Sequence, residues 1–309
     1  MQIYTARSQI RKRYPRPVVA IGIFDGLHRG HQAVIRRAVS RAAKIKGTPV
    51  VMTFSPHPVH VLNPRAFCPL IISLPHRLQL IAAMGVRVCW VVAFTRRFAR
   101  LDPEAFIRRY LAEPLAPKEI IVGEDFRFGQ QRRASAAVLQ ERGGMFGCEV
   151  RRLPVGSGIK AISSSRIRRA IAIGDLRRAA WLLGRPFSIL GEVVHGDSRG
   201  SSLGYPTANL HPERQLLPPS GVYIVEAKVG NNHYPAMANL GRRPSFKKMA
   251  RVNLEVHIFN LRRDLYGRRI LVKFLKKIRD ERVFRSQAEL VQQIRADEEQ
   301  ARRWFRRHS

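Results

Sequence analysis

Hydrophobic positions in the first half of the chain fall into short apolar runs separated by stretches with helical spacing. The runs typical of buried strands occupy residues 18–24, 49–54, 88–94, 119–123 and 148–153. Between the first two runs, one helix face is predicted from spacings of four, four and three among Val34, Ala38, Ala42 and Ile45. Further helices are expected at residues 74–84, 102–111 and 134–141. Strands that alternate with helices predict an open, doubly wound α/β domain with a parallel sheet.

Two shorter helices follow, and we expect them to complete the first domain. A serine at position 163 or 164 caps the first of these helices, and Gly174 ends it. Asp175 caps the second helix, and Gly184 ends that one. The first domain is therefore predicted to span residues 1–184.

A different pattern begins at Phe187. Short strand-like runs, separated by glycine, proline and asparagine, occupy residues 188–196, 205–210, 221–229, 234–240, 252–259 and 270–278. Regularly spaced short strands with turn residues between them predict a small antiparallel β-barrel. A last amphipathic helix follows from Ser286 to about Phe305, and its inner face carries Leu290, Ile294, Asp297 and Ala301. The second domain is therefore predicted to span residues 185–309.

The composition is that of an ordinary globular protein, with 45% hydrophobic residues. No apolar run approaches the roughly 18–20 residues that a membrane-spanning helix needs, and the basic N-terminal stretch has no apolar segment after it, as a signal peptide would. Cys68, Cys89 and Cys148 stand far apart, which argues against a disulfide framework and against a zinc site. We therefore expect a cytoplasmic protein with no membrane partner.

The net charge of +34, from 56 basic and 22 acidic residues, changes this picture in one respect. Such a charge attracts any polyanion, so a basic nucleic-acid-binding protein is an alternative interpretation. The arginines, however, lie in short pairs along nearly the whole chain, such as Arg36–Arg37 and Arg177–Arg178. A dispersed excess of this kind favours a general compositional bias, and no specific nucleic-acid partner is expected.

The stretch GIFDGLHRGH, residues 22–31, follows the first strand and precedes the first helix. In α/β sheets, ligands bind at the carboxyl ends of the strands, and helix N-termini favour phosphate. Gly26 and Gly30 would allow a phosphate close to the backbone, and the imidazoles of His28 and His31 can donate hydrogen bonds to it. A zinc site and a simple turn remain alternatives, although no third zinc ligand is evident at a recognisable spacing.

Candidate chemistry in the second domain lies in two extended segments. Thr207 and Asn209 of the stretch PTAN are two residues apart, so they share a face, and their neutral oxygens suit Mg²⁺ held jointly with ATP phosphates. In NLEVHIF, residues 253–259, apolar positions alternate with Glu255, His257 and Phe259. A carboxylate in a central strand of a small barrel has to be solvated, paired or functional, so a structural ion pair is the alternative to catalysis.

Both halves resemble the prokaryotic bifunctional riboflavin kinase/FAD synthetase family. In the first half, the resemblance rests on an H-x-G-H nucleotidyltransferase motif at 22–31, followed by TFSPHP (53–58), VGEDFRFG (122–129) and ISSSRIR (162–168). In the second half, it rests on G-x-P-T-A-N (204–209), LEVH (254–257), DLYG (264–267) and an I-R-x-E-x-x-F segment (278–284). The resemblance covers almost the whole chain.

For the first domain, the resemblance implies adenylyl transfer, in which the FMN phosphate attacks the α-phosphate of ATP and pyrophosphate leaves. His28, His31 and Arg168 would act on the ATP phosphates during the reaction. The remaining residues expected to bind ATP or its phosphates there are Gly22, Phe24, Asp25, Gly26, Gly30 and Ser164. Asp125 and Phe126 would bind the flavin.

For the second domain, the resemblance implies phosphorylation of riboflavin to FMN. Glu255 would be the general base for the riboflavin 5′-hydroxyl. Thr207 and Asn209 would bind Mg²⁺ with ATP, and the glycine-rich loop from Gly196 to Gly204 would bind the ATP phosphates. Arg279 and Glu281 would order the flavin. The partners implied for the whole chain are thus riboflavin, FMN and ATP.

The first half departs from the family pattern at a few positions. Ser55 stands where the family often has an acidic residue, and Ala134–Ser135 stand where it usually has Gly-Asp. A riboflavin kinase whose first domain has lost adenylyltransferase activity is therefore the main alternative function.

Overall fold

The computed structural model describes residues 1–10, 13–129, 134–153, 162–196, 204–212, 215–243, 251–261 and 263–308. By its internal contacts, the chain divides into two compact units. One contains residues 1–70 and 74–164, and the other contains residues 71–73 and 165–309. No helix of the described part is long and apolar enough to cross a membrane.

The first unit is built on a six-stranded parallel sheet. In chain order its strands are β1 (Gln2–Tyr4), β2 (Val18–Ile21), β3 (Pro49–Ser55), β4 (Val88–Ala93), β5 (Glu119–Gly123) and β8 (Glu149–Leu153), and they are arranged β1-β4-β3-β2-β5-β8. Strands β2 and β3 are buried along almost their whole length because helices cover both faces of the sheet. The predicted α/β class is confirmed, and only the short strand β1 lacks a counterpart in the sequence prediction.

The connections of this sheet are mostly helical. They are α1 (Arg29–Lys44), α2 (Pro58–Leu62), α3 (Leu74–Ala83), α4 (Arg96–Ala99), α5 (Pro103–Ile107), α6 (Glu113–Leu115) and α7 (Ala136–Gly144). Asp102 caps α5 as predicted, because its Oδ1 accepts a hydrogen bond of 2.8 Å from the Ala105 backbone N–H. A wide π-helical turn over Arg108–Ala112 joins α5 to α6.

The helix predicted at residues 134–141 begins two residues late. Ala134 and Ser135 form a short strand, β7, which pairs antiparallel with β6 (Arg127–Phe128). The prediction was wrong here because it relied on the high helix propensity of alanine. Helix propensity is a property of the single residue and contains no information about Phe128, the strand partner of Ala134 six residues upstream. Helix α7 then starts at Ala136.

Two helices, α8 (Ser164–Ala172) and α9 (Leu176–Leu183), precede a closed antiparallel barrel. The barrel consists of β9 (Ser188–Val194), β10 (Ala208–His211), β11 (Gly221–Val229), β12 (Asn232–Arg243), β13 (Arg251–Ile258) and β14 (Arg269–Arg279), closed in the order β10-β13-β12-β11-β14-β9. The C-terminal helix α10 (Gln287–His308) follows. The barrel and its helix confirm the prediction.

The alternation along β13 separates the barrel interior from its outer surface. Leu254 pairs with Leu240, and Val256 pairs with Ala238, and all four side chains are buried in the interior. Glu255 and the other residues of opposite parity therefore lie on the outer face. Part of that face is covered by α10, where Ile224, Met237, Phe259 and Ala301 form a separate apolar cluster.

Candidate functional site

The loop between β2 and α1 brings the side chains of His28 and His31 into face-to-face contact. Their ring centroids lie 3.5 Å apart with an angle of 18° between the planes. His28 occupies the N-cap position of α1, and its Nδ1 accepts a hydrogen bond of 3.3 Å from the His31 backbone N–H. The sequence prediction placed both residues at the start of a helix, and the structure shows in addition that the His28 side chain caps that helix.

An unusual backbone brings these histidines to the sheet edge. Phe24, Gly26 and Leu27 have φ angles of 53°, 76° and 43°, all in the left-handed region. The ring of Phe24 is buried and contacts His31 edge-on, with centroids 5.3 Å apart. A Cβ on Gly22 would lie 2.7 Å from the same ring, which explains the glycine at this position. The Phe24 ring thus anchors the loop against the sheet.

The start of α1 has the features of a phosphate site. Gly30 and His31 lie in its first turn, where backbone N–H groups and the positive end of the helix dipole favour an anion. The buried Nδ1 of His31 has no hydrogen-bond partner within the described residues. Burial, helped by the nearby charges of His28 and Arg77, holds the His31 pKa well below its usual value. A neutral imidazole can accept or donate one hydrogen bond at each nitrogen, according to its tautomer.

The zinc alternative finds no support in the described part of the chain. No group of three or more histidine, cysteine, aspartate or glutamate side chains is placed there to hold a metal ion. The stacked arrangement of His28 and His31 also differs from the convergent arrangement of two metal ligands.

Ser164, the last residue of the first unit in the chain, contacts this loop. Its hydroxyl donates a hydrogen bond of 3.3 Å to the backbone carbonyl of Asp25. Ser164 is the first residue of α8 and not its cap, so Ser163 holds the capping position. Arg168 lies one turn further along α8 and is half-buried. The structure therefore brings Ser164 into contact with Asp25, which is itself buried.

The predicted flavin residues of the first domain follow β5. This strand neighbours β2 in the parallel sheet, so the loop with Asp125 and Phe126 leaves the same edge as the histidine loop. Asp125 is exposed. The ring of Phe126 stacks on that of Phe128, with centroids 5.7 Å apart and planes 20° apart.

The departure at Ala134–Ser135 lies in a short strand that pairs antiparallel with Arg127–Phe128. Ala134 is buried and pairs with Phe128 in an extended conformation, without the positive φ that would require glycine. Among the described residues next to this strand pair, Gly129 has a left-handed φ of 71°. The backbone at Ala134 is therefore one that any residue can adopt.

Sequence reasoning did not assign Arg77 to this site, although the residue falls near a position where the family usually has lysine. Arg77 is 2% exposed, and its Nη1 donates to the carbonyl of Ile23 at 2.8 Å and to that of Phe54 at 3.2 Å. The available signal was its position in α3, where Arg77 shares the inward-facing spacing of Leu74 and Ile81. A charged residue at an apolar position of a helix indicates a specific partner.

In the barrel, Glu255 lies between two asparagines on neighbouring strands. Asn209 of β10 and Asn239 of β12 both pair in register with Glu255 of β13. Residues paired in this way have side chains on the same face of the sheet, within about 5.5 Å at Cβ. Asn253, on the same face, donates from Nδ2 to Glu255 Oε1 at 2.5 Å. Asn239 and Asn253 were missed, although the period of two places Asn253 beside Glu255.

Of the two glycines expected to bind phosphate, Gly196 lies next to Asn209. A Cβ on Gly196 would lie 2.2 Å from Asn209 Nδ2, so only glycine leaves room for that side chain. Gly204 has φ of 81°. The loop between them, residues 197–203, lies outside the described residues.

The DLYG turn packs against the same end of the barrel. The Gly267 backbone N–H donates to the Val193 carbonyl at 2.9 Å, which places the turn beside the end of β9. The Tyr266 ring stacks on His195, with centroids 3.9 Å apart. His195 directly precedes Gly196, so the two motifs of the second half meet in space.

Arg279 and Glu281 occupy the far end of β14. The Arg279 guanidinium is bound by Asp297 of α10, with Nη2 to Oδ2 at 2.9 Å and Nε to Oδ2 at 3.0 Å. Glu281 Oε1 lies 2.6 Å from the ideal Cβ position of Gly241, and Gly241 pairs in register with Asn253. Glu281 is therefore placed on the outer face next to the strand pair that carries Glu255.

Comparison with known proteins links each unit's site to a family. A model of the FAD synthetase family matches residues 10–166, and a model of the riboflavin kinase family matches residues 183–305. The bifunctional riboflavin kinase/FMN adenylyltransferase of Bacillus subtilis (strain 168) is 38% identical over 302 residues, covering 96% of this chain and 95% of its own. The chain belongs to this family.

Other members show the same extent of similarity. The family member of Escherichia coli (strain K12) is 40% identical over 291 residues, covering 93% of this chain and 92% of its own. A crystal structure described as a macrolide-efflux protein from Streptococcus pneumoniae has a TM-score of 0.85 at 36% identity, covering 98% of both chains. The similarity therefore extends over both units of this chain; the first matched range contains His28 and His31, and the second contains Asn209 and Glu255.

Proposed function

We propose that the chain phosphorylates riboflavin to FMN and then transfers an adenylyl group from ATP to FMN, which gives FAD and pyrophosphate. The observation that carries this proposal is the presence of one assembled site in each matched range. The stacked pair His28 and His31 stands at a helix start within residues 10–166, and Glu255 faces Asn209 within residues 183–305.

In the kinase step, Glu255 takes the proton of the riboflavin 5′-hydroxyl. The hydroxyl oxygen then attacks the γ-phosphorus of ATP, and ADP leaves as the bond from that phosphorus to the bridging oxygen breaks. The hydrogen bond from Asn253 orients the carboxylate for this transfer. Gly196 and Gly204 border the loop that is proposed to close over the ATP phosphates.

We propose that Thr207 and Asn209 hold Mg²⁺ together with ATP. The side-chain oxygens of these two residues are hard donors, which are the ligands Mg²⁺ prefers. The backbone of Gly196 lies directly against the Asn209 side chain and restricts its position, which supports this assignment. When bound, the metal would neutralise charge on the transferred phosphoryl group.

In the adenylyl step, a phosphate oxygen of FMN attacks the α-phosphorus of ATP, and pyrophosphate leaves. No protein nucleophile is needed, so the site works by positioning and by stabilising charge. His28, His31 and the start of α1 would contact the phosphates. Arg168 would add a fixed positive charge one turn after Ser164. The remaining residues proposed to shape this phosphate site are Gly22, Phe24, Asp25, Gly26 and Gly30.

Flavin binding is proposed at two places. In the first domain, Asp125 and the stacked ring of Phe126 leave the sheet edge beside the histidine loop. In the second, Arg279 and Glu281 lie at the end of β14, close to the strand pair that carries Glu255.

We also propose that residues 1–184 serve adenylyl transfer. The first compact unit ends at Ser164, but Ser164 and Arg168 belong to the same helix, α8, so we assign both residues to the adenylyltransferase domain.

The test is to supply the purified chain with each substrate separately. Riboflavin with ATP and Mg²⁺ should give FMN, and FMN with ATP and Mg²⁺ should give FAD with one pyrophosphate per FAD. FMN formation without any FAD from supplied FMN would favour the kinase-only alternative. Chelation of the metal should stop FMN formation, and a chelator-resistant kinase would refute the role proposed for Mg²⁺.

We propose that the protein, despite its high positive charge, has no specific nucleic-acid partner. Binding to DNA or RNA should then be equally strong for unrelated sequences and should fall steeply as salt is raised. A nucleic acid that is retained selectively at moderate salt would contradict this. The cytoplasm is the proposed location, where riboflavin and ATP would both be available.

A further inference from the structure

A buried arginine ties together the two strand ends beneath the histidine loop. Arg77 Nη1 donates to the carbonyl of Ile23, which is in the loop after β2, and to the carbonyl of Phe54, near the end of β3. Thr53 Oγ1 accepts from the same nitrogen at 3.2 Å and itself donates to the Ile23 carbonyl at 2.9 Å. One side chain thus sets the separation of the two adjacent strand ends where the loop begins.

The charge of this arginine is not matched by an ion pair in the described part of the chain. Its Nη1 contacts neutral oxygens, and its buried Nε has no hydrogen-bond partner among the described residues. Burial lowers the pKa of Arg77, while the electrostatic influence of Asp25 and of Cys89 acts in the opposite direction. A buried cation held this way costs free energy, so a functional reason for retaining it is expected.

We propose that Arg77 is a positioning residue for adenylyl transfer, which acts through the backbone of the histidine loop and through its charge on His31. This inference rests on the proposed function of that loop. The charged groups that act on His31 are His28 on the same helix start and Arg77 from α3, and Arg77 is itself influenced by Asp25 from the loop and by Cys89 of β4. The ATP phosphates that are proposed to bind beside α1 would supply negative charge near the cationic side chain of Arg77.

Two mechanisms follow, and they can be separated. The fork of hydrogen bonds holds the Ile23 carbonyl, so its loss should displace the loop and reduce the rate of FAD formation. The positive charge disfavours protonation of His31 and therefore keeps its pKa low. Loss of the charge should raise that pKa, and the acidic limb of the pH–rate profile should move to higher pH.

The experiment compares R77M, which removes the fork and the charge, with R77K, which keeps a charge. R87M is the matched control, because Arg87 is exposed and its loss changes the net charge equally. FMN formation by the same molecules reports whether each variant is folded. For R77M, we expect FAD formation from FMN to fall about 100-fold, the effect of a misplaced reacting group. Its acidic limb should also move to higher pH, with FMN formation unchanged.

R77K should keep the acidic limb of the wild type and recover part of the rate, and R87M should match the wild type in both. If R77M lowers the rate without moving the acidic limb, or if R77M forms FAD at the wild-type rate, the inference is overturned. H28A/H31A separates this result from a failure of the proposed function. If that double variant still forms FAD, the loop is not the adenylyl-transfer site, whatever R77M does.

Discussion

Asn209 and Glu255 face each other directly across β10 and β13, on the outer surface of a closed barrel. The pairing explains how two motifs 46 residues apart in the chain, PTAN and LEVH, form one site. Both side chains belong to strands whose alternate residues fill the barrel core, so their direction is set by the packing of Leu210 and Leu254 on the other face.

Replacing Glu255 by glutamine should abolish the kinase step alone. Glutamine keeps the size of the side chain but cannot take a proton from the riboflavin hydroxyl, so FMN formation should fall by about 100- to 10,000-fold. Chromatography of the flavins after incubation with riboflavin or with FMN measures both steps. E192Q, at an exposed glutamate of β9, is the control and should be unaffected. An E255Q variant that lost only FAD formation would reverse the assignment.

Replacing Gly196 by alanine should also impair the kinase step, because the added methyl group has no room. The new Cβ would overlap the Asn209 side chain, whose Nδ2 lies 2.2 Å from that position. We expect Asn209 to move, the KM for ATP to rise and FMN formation to fall, with FAD formation from FMN retained. G144A is the control, because nothing lies within 4 Å of a Cβ at Gly144. Unchanged kinase kinetics in G196A would argue against the confined geometry of Asn209.

The double variant H28A/H31A should have the opposite pattern to E255Q. It removes the stacked imidazoles and the cap of α1, and FAD formation should fall by about 100- to 1,000-fold, as for loss of transition-state hydrogen-bond donors. FMN formation should persist. H28N retains a side chain that can cap the helix, so it distinguishes loss of the cap from loss of the imidazole. Wild-type FAD formation by H28N would limit His28 to a structural role.

Removal of Asp297 should destabilise the barrel unit. Asp297 is buried, and its carboxylate accepts hydrogen bonds from Arg279 and from Gln293, so D297A leaves the half-buried guanidinium of Arg279 without its partner. The expected cost is about 1.5–3 kcal/mol in the free energy of unfolding, measured by denaturant titration. E298A removes the i,i+4 partner of Arg302 and should cost less than about 1 kcal/mol. A D297A/R279M double variant more stable than D297A would identify the stranded arginine as the cause.

The stability of the first unit should depend on pH through Glu119. Hydrogen bonds from Arg41, together with the charges of Arg41 and Arg151, lower the pKa of this buried carboxyl. A folded-state pKa below the unfolded value means that the stabilisation is present at neutral pH and is lost as the pH falls through the folded pKa. E119Q should therefore be less stable than wild type at pH 7, and the difference should shrink below about pH 4. A difference independent of pH would refute this linkage.

Much of the fold was predictable because local patterns and core packing agree. The strand over Glu119–Gly123 and the barrel strand over Gly221–Val229 have the predicted bounds, since both are apolar runs flanked by turn residues. The prediction failed at Ala134–Ser135, where a hairpin partner overrode helix propensity. It also did not anticipate β1, three residues long, whose pairing with β4 depends on a contact more than eighty residues away.

The sequence by itself determined the order of strands and helices, the switch from parallel sheet to barrel, and the residue types of both candidate sites. It did so because period, turn residues and motif spacing are local properties of the chain. Only the tertiary structure decided that Asn239 faces Glu255 from the neighbouring strand, that Asp297 binds Arg279, and that Arg77 lies under the histidine loop. Those relationships depend on strand register and on burial across distant segments, and the free energies that set them belong to the folded chain as a whole.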